Sequence, residues 1–101
     1  MPVVSIILPT FNRAAYLRET VASVFAQSWT DWELIISDDG SDEATRAFIH
    51  TLEADERVRV VWSPHSGIPA VTRNSALRVA RGEYVAFLDA DDLWDPAKLA
   101  R

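Results

Sequence analysis

Cysteine is absent from this chain, so disulfides and thiolate zinc sites are excluded and the redox compartment is left open. No apolar stretch is longer than a strand. Nothing resembles a signal peptide or a membrane span, so no transmembrane segment is expected and the cytoplasm is the default location. Basic residues are in deficit: 10 Lys and Arg stand against 15 Asp and Glu, for a net charge of −5. A general nucleic-acid binder needs a basic face, so no nucleic acid is expected as a partner. An anionic ligand would have to meet local arginines, helix amino-ends or a bound cation. Gly-x-Gly-x-x-Gly and Gly-Lys-Ser/Thr are both missing, which removes the dinucleotide and P-loop readings. What is present is ordinary globular material. The 101 residues are 49% hydrophobic and 25% charged, enough for one small domain with one core.

The hydrophobic period switches along the chain. Val3 to Leu8 is β-branched, short and ended by Pro9, as a buried strand requires. From Arg13 to Gln27, residues Leu17, Val21, Val24 and Phe25 fall on one helical face, with Asn12 placed to cap it. Glu33 to Ser37 reads as a second strand that runs into Asp38-Asp39-Gly40-Ser41. A helix is expected from about Asp42 to Ala54, with Ala44, Phe48 and Leu52 inward and Asp38 or Asp39 as its cap. Val58 to Trp62 is a third strand, more polar and nearer an edge. Ser63 to Gly67 form a loop, and a third helix is expected from Ile68 to Arg81, closed by Gly82. Tyr84 to Leu88 is the fourth strand.

This βαβαβαβ order implies an α/β fold: a Rossmann-like parallel sheet of about four strands, right-handed crossovers, and helices on both faces. Ligands of such sheets bind beyond the carboxyl ends of the strands, where the strand order reverses. Asp95-Pro96 opens a helix that stops at Arg101, too short to stand alone, and strand four has no successor. The expectation is therefore the front part of a longer domain, with an exposed strand edge that favours a homodimer.

The strand ends collect the polar chemistry. Asp89, Asp91 and Asp92 emerge where strand four stops, and three crowded carboxylates repel one another unless a cation sits among them. Mg²⁺ or Mn²⁺, which prefer carboxylate and phosphate oxygens, are the expected neutralisers, with open positions that suit a diphosphate. The plainer account is a solvated acidic turn that caps a helix starting near Pro96. Phe11 offers a flat face for a base to stack on, or simply covers a loop. Arg13 opens a helix, where a cation is unfavourable unless it meets an anion. Arg73 could bridge to a phosphate or hold a carboxylate, and either arginine could instead be a surface ion-pair partner. Asp39 can accept an imide N–H such as that of uracil. His50 and His65 lack a spaced second ligand and read as structural or solvated. Trp29 and Trp32 read as packing residues, and Trp62 is left open.

These residues resemble a family. Val4-Ser5-Ile6-Ile7-Leu8-Pro9-Thr10-Phe11-Asn12-Arg13, then Leu17 and Ser23 to Gln27, look like the opening of family 2 glycosyltransferases with the GT-A fold. The similarity continues through Trp32 to Ile36, Asp38-Asp39-Gly40-Ser41, Gly67, Arg73-Asn74 and Gly82 to Asp92. The resemblance implies that Pro9, Thr10, Phe11 and Arg13 border the nucleotide, with Arg73 and Ala90 beside it, and that Asp39 pairs with uracil. It makes Asp89-Ala90-Asp91 the DxD motif, with Asp91 the principal ligand of Mg²⁺ or Mn²⁺ and Asp89 facing the ribose or the metal shell. The implied partners are a nucleotide-diphosphate sugar, UDP-linked, and a sugar or glycan acceptor. The implied reaction is an inverting sugar transfer to a hydroxyl, by a full-length parent that is cytoplasmic or peripheral to the membrane. Asp42-Glu43 and Thr72 depart from the family's commoner Thr-Asp and Ala. No catalytic base can be assigned in this chain; one is expected after Arg101.

Three other readings compete. A haloacid-dehalogenase-like phosphatase shares the apolar strand followed by Asp-x-Asp, but needs that motif at its first strand. A receiver domain could use Asp38 and Asp39 around Mg²⁺, but lacks its later Lys-bearing strand. A catalytically inert nucleotide-binding or self-associating module is the non-enzymatic alternative.

Overall fold

The computed structural model describes residues 4–12, 14–27 and 31–88. Four parallel strands, β1 (Val4–Thr10), β2 (Trp32–Asp39), β3 (Val58–Ser63) and β4 (Tyr84–Phe87), alternate with α1 (Ala14–Phe25), α2 (Glu43–Leu52) and α3 (Pro69–Leu77). The sheet order is β3-β2-β1-β4, so β3 is an edge strand, as its polarity indicates. Ile6 pairs with Leu34 on one side and Ala86 on the other. Strand order runs outward from β1 through β2 to β3 and then jumps to β4. The reversal therefore lies between β1 and β4, the position at which open α/β sheets bind ligands.

The period of two in β1 and β2 divides the core. Ile6, Leu8, Leu34 and Ile36 meet Leu17, Val21 and Val24 of α1 and Ile49 of α2. Ile7 and Ile35 point to the opposite face, against Ala76 of α3. Helices thus cover both faces. The Ile and Leu side chains of the two central strands are fully buried, each worth about 1.5–3 kcal/mol.

Four local expectations shift. The buried positions of α2 are Thr45 and Ile49, with Phe48 and Leu52 half-buried and Ala44 exposed. The inward face is rotated because a small hydroxyl residue, Thr45, takes the place that periodicity gave to Ala44. Phe25 is partly exposed at the end of α1, edge-on to the buried Trp32 ring at 5.3 Å. Asp42, not Asp38 or Asp39, caps α2: its Oδ1 accepts from the Thr45 N–H at 2.9 Å. The helix α3 ends at Leu77, and Gly82 is not its terminal glycine. Gly82 is needed for close approach instead, since a Cβ there would lie 2.6 Å from the Ser5 nitrogen.

Glu33 sits inside this frame, on the α3 face of β2, with only 3% of its side chain exposed. Its Oε2 accepts from the Ser5 hydroxyl at 2.6 Å and from the Arg81 N–H at 2.6 Å. Its Oε1 makes no hydrogen bond but faces the guanidinium groups of Arg81 and Arg59 at 3.5 and 3.9 Å. Burial opposes its ionisation. The Ser5 and Arg81 hydrogen bonds and the two arginine charges outweigh burial and hold its carboxyl below the ordinary value of 4.5.

Candidate nucleotide site at the carboxyl edge

Pro9 and Thr10 end β1, in register with Ser37 and Asp38 of β2. Pro9 is half-buried; Thr10 and Asp38 are buried. Asp38 closes the turn after β2, its Oδ2 accepting from the Ser41 N–H at 3.1 Å. Among the described residues, Thr10 Oγ1 and Asp38 Oδ1 have no hydrogen-bond partner. Unsatisfied buried polar atoms are uncommon, and two on adjacent strand ends mark this edge as chemically unfinished.

The next layer is built from loops. Asn12 takes a left-handed backbone, φ 56°, and its N–H donates to Ser41 Oγ at 2.8 Å. The described bond of its side-chain oxygen is to the Asp42 N–H at 2.6 Å, so it ties the β1–α1 loop to the β2–α2 loop. Gly40, at φ 75°, lies so close to the β3–α3 loop that a Cβ would be 2.6 Å from the His65 nitrogen. Only glycine suits both that backbone and that contact.

Asp39, nearly buried at the end of β2, is the centre of the arrangement. Its Oδ1 accepts from the Ser66 N–H at 2.8 Å and the Ser66 hydroxyl at 3.0 Å, and its Oδ2 accepts from the Gly67 N–H at 3.0 Å. His65 Nδ1 lies 3.1 Å from the same Oδ2 and 3.0 Å from the Asp39 carbonyl oxygen. Burial pushes against the charge of Asp39, but the bonds from Ser66 and Gly67 and the nearby His65 prevail and hold its carboxyl below the ordinary 3.8. Asp39 is therefore an anion at neutral pH. Phe11 stands beside it, 43% exposed, with the His65 ring stacked on it at 4.2 Å.

Thr10, Phe11 and Asp39 are thus brought to one edge. Arg13, Asp89, Ala90 and Asp91 lie outside the described residues, as does the side chain of Arg73, whose backbone belongs to α3. Among the described residues no group of three or more His, Cys, Asp or Glu could hold a metal ion. Sequence reasoning missed the role of His65 and Ser66, reading the histidine as structural or solvated. The available signal was the run Ser63-Pro64-His65-Ser66-Gly67, rich in donors and facing a strand that ends in two aspartates.

Comparison with known proteins gives the same region a family. A family model described as Glycosyl transferase family 2 matches residues 5–101. A Bacillus subtilis glycosyltransferase named for teichuronic acid biosynthesis, TuaG, is 46% identical over 101 residues, covering 99% of this chain and 40% of its own length. TarS of S. aureus, solved with UDP and with UDP-GlcNAc, superposes with a TM-score of 0.90 at 31% identity, over 97% of this chain; the UDP complex is covered over 30% of its length. A mannosyltransferase of Pyrobaculum calidifontis, PcManGT, solved with GDP-Man and Mn²⁺, has a TM-score of 0.88 at 30% identity, over 98% of this chain and 30% of its own. The chain spans well under half the length of each of these relatives.

Proposed function

This chain belongs to glycosyl transferase family 2, and from that premise we propose that it carries the donor-binding half of an inverting, metal-dependent glycosyltransferase. The donor is a nucleotide-diphosphate sugar, UDP-linked, and the acceptor is a hydroxyl of a sugar or glycan. The observation that carries this reading is the juxtaposition of a charged, hydrogen-bonded Asp39 with the exposed Phe11 ring at the carboxyl edge. A flat apolar face beside a fixed anionic acceptor suits a base with a ring N–H, and uracil has one. TarS, similar over nearly the whole chain, was solved with UDP, which supports the choice of base.

The residues divide the work by position. Phe11 and Asp39 bind and orient the base, while Pro9 and Thr10 border the nucleotide. Arg13 and Arg73 would serve the phosphates, their charge offsetting the acidity of the chain. Asp91 and Asp89 would hold Mg²⁺ or Mn²⁺, a fit supported by the all-carboxylate donor set, and the unpartnered Asp38 Oδ1 offers a further oxygen at the carboxyl edge of β2. When bound, that ion supplies positive charge against the leaving diphosphate. The base that deprotonates the acceptor comes from outside residues 1–101.

Calorimetry tests the base assignment. UDP should bind more tightly than ADP, and Asp39→Ala should erase the difference by removing a charge-assisted hydrogen bond of about 1.5–3 kcal/mol, roughly tenfold or more in affinity. Unchanged discrimination in the variant would reassign Asp39 to holding the 65–67 loop.

A second reading, a self-associating module, is favoured by one observation. Among the described residues β4 ends the sheet, and it leaves Tyr84 (65%), Val85 and Phe87 exposed. Light scattering across a concentration series should then show a two-fold dimer. A strictly monomeric species at every concentration counts against it.

A further inference from the structure

The Asp39 carboxylate is crowded. Of its roughly four lone-pair directions, three are taken by the Ser66 N–H and hydroxyl and the Gly67 N–H, and the His65 ring nitrogen stands 3.1 Å from Oδ2 while bonding the Asp39 carbonyl oxygen. A uracil N–H directed at Oδ2 competes with that ring for the space. The Ser66 and Gly67 N–H groups belong to the backbone of the loop. The Ser66 hydroxyl is also tied down, accepting from the Ile68 N–H at 3.1 Å. The His65 side chain is half exposed and is held only by Asp39 and by the Phe11 ring among the described contacts. It is the donor that can swing out at least cost.

Its two contacts are the notable ones. The imidazole lies flat on Phe11, 4.2 Å between centroids and 27° between planes. Both neighbours of Nδ1 are acceptors, so Nδ1 carries the proton and donates to the Asp39 carbonyl oxygen at 3.0 Å, with Oδ2 of the same residue 3.1 Å away. A flat ring on Phe11 with an N–H on Asp39 is also how the uracil of the donor is placed in the nucleotide reading above, on which this inference rests. We propose that His65 is a built-in competitor of the nucleobase and so a specificity-determining residue of the donor site. Uracil replaces it contact for contact, its stack for the imidazole stack and its imide N–H for Nδ1–H. A base without a ring N–H recovers the stack but leaves Asp39 one bond short. Rotation of His65 moves only the side chain, because the loop backbone stays anchored to Asp39 through Ser66 and Gly67.

The test is UDP binding, with Mg²⁺ present, to the wild-type chain and to His65→Ala. Removing the competitor should tighten UDP roughly two- to tenfold, the worth of one modest hydrogen bond. His65→Phe, which keeps a ring on Phe11 without the N–H, should fall between the two. Nitrogen NMR of the wild-type histidines provides a readout that needs no variant. Without ligand, His65 should show a protonated Nδ1 in a hydrogen bond, and saturating UDP should move it to the values of a free imidazole. Saturable UDP binding with unmoved His65 signals overturns the proposal while leaving the nucleotide reading intact, as does a His65→Ala variant that binds UDP equally or more weakly. Absence of UDP binding by every form at millimolar ligand overturns the nucleotide reading itself.

Discussion

Replacing Asp91 by alanine should remove most of the UDP affinity that Mg²⁺ or Mn²⁺ confers on this chain. The reason is electrostatic. An acidic chain, at −5, binds a diphosphate against its own charge unless a cation bridges the two. Hard cations take oxygen ligands, which in the proposed reading the carboxylates after β4 would supply. Disturbing even the outer partners of a metal ligand costs roughly 10- to 100-fold in metal affinity, so losing the principal ligand should cost at least that. Titration of UDP in the presence of Mn²⁺, and again with a chelator, measures the effect. The wild-type chain should lose affinity on chelation, and Asp91→Ala should bind equally weakly under both conditions. Equal UDP affinity of the wild type with and without metal would remove the cation from the account.

Glu33→Ala should be the most damaging single change to the fold outside the apolar core. It removes the acceptor shared by the Ser5 hydroxyl and the Arg81 N–H. Leaving the buried Ser5 hydroxyl without this acceptor should cost about 1–3 kcal/mol, and the Arg81 N–H, only partly buried, adds less. Arg59 and Arg81 are themselves substantially exposed and remain hydrated, so they add little to that loss. The same carboxylate sets a pH dependence. Its native pKa is depressed below 4.5, so its stabilisation is fully present above the unfolded value and is lost as the pH falls through the lower native one. Urea denaturation at a series of acid pH values should show wild-type stability declining below about pH 4.5, with a shallower decline in Glu33→Gln. Parallel pH profiles for the two would mean that Glu33 titrates alike in the folded and unfolded chain.

Much of this fold was legible because local signals agreed with one another. Val4 to Leu8 and Leu34 to Ile36 carry β-branched or leucine side chains at both parities, which only a strand buried on two faces needs, and both are central in the sheet. Leu17, Val21 and Val24 gave the face of α1 correctly. The phase of α2 was misread because Thr45, a polar residue, is buried with Ile49, and hydrophobic pattern alone cannot foresee that. Gly82 looked like a helix terminus in sequence, yet its constraint comes from Ser5, 77 residues earlier in the chain. Glu33 seemed merely the polar start of a strand; Ser5, Arg59 and Arg81, which make it a buried anion, are distant in sequence. In the candidate site the strand-end residues were visible as a motif. The hold of Ser66, Gly67 and His65 on Asp39 was not, because it is a contact between two loops and leaves no periodic trace.

The most direct measurement of the central claim is a crystal structure of this chain with UDP and Mn²⁺. The account predicts the uracil ring against Phe11, its N3 within hydrogen-bonding distance of Asp39 Oδ2, and the diphosphate bridged by the cation to Asp91. A nucleotide bound away from the carboxyl edge of β1 and β2, or a base that touches neither Phe11 nor Asp39, would contradict it.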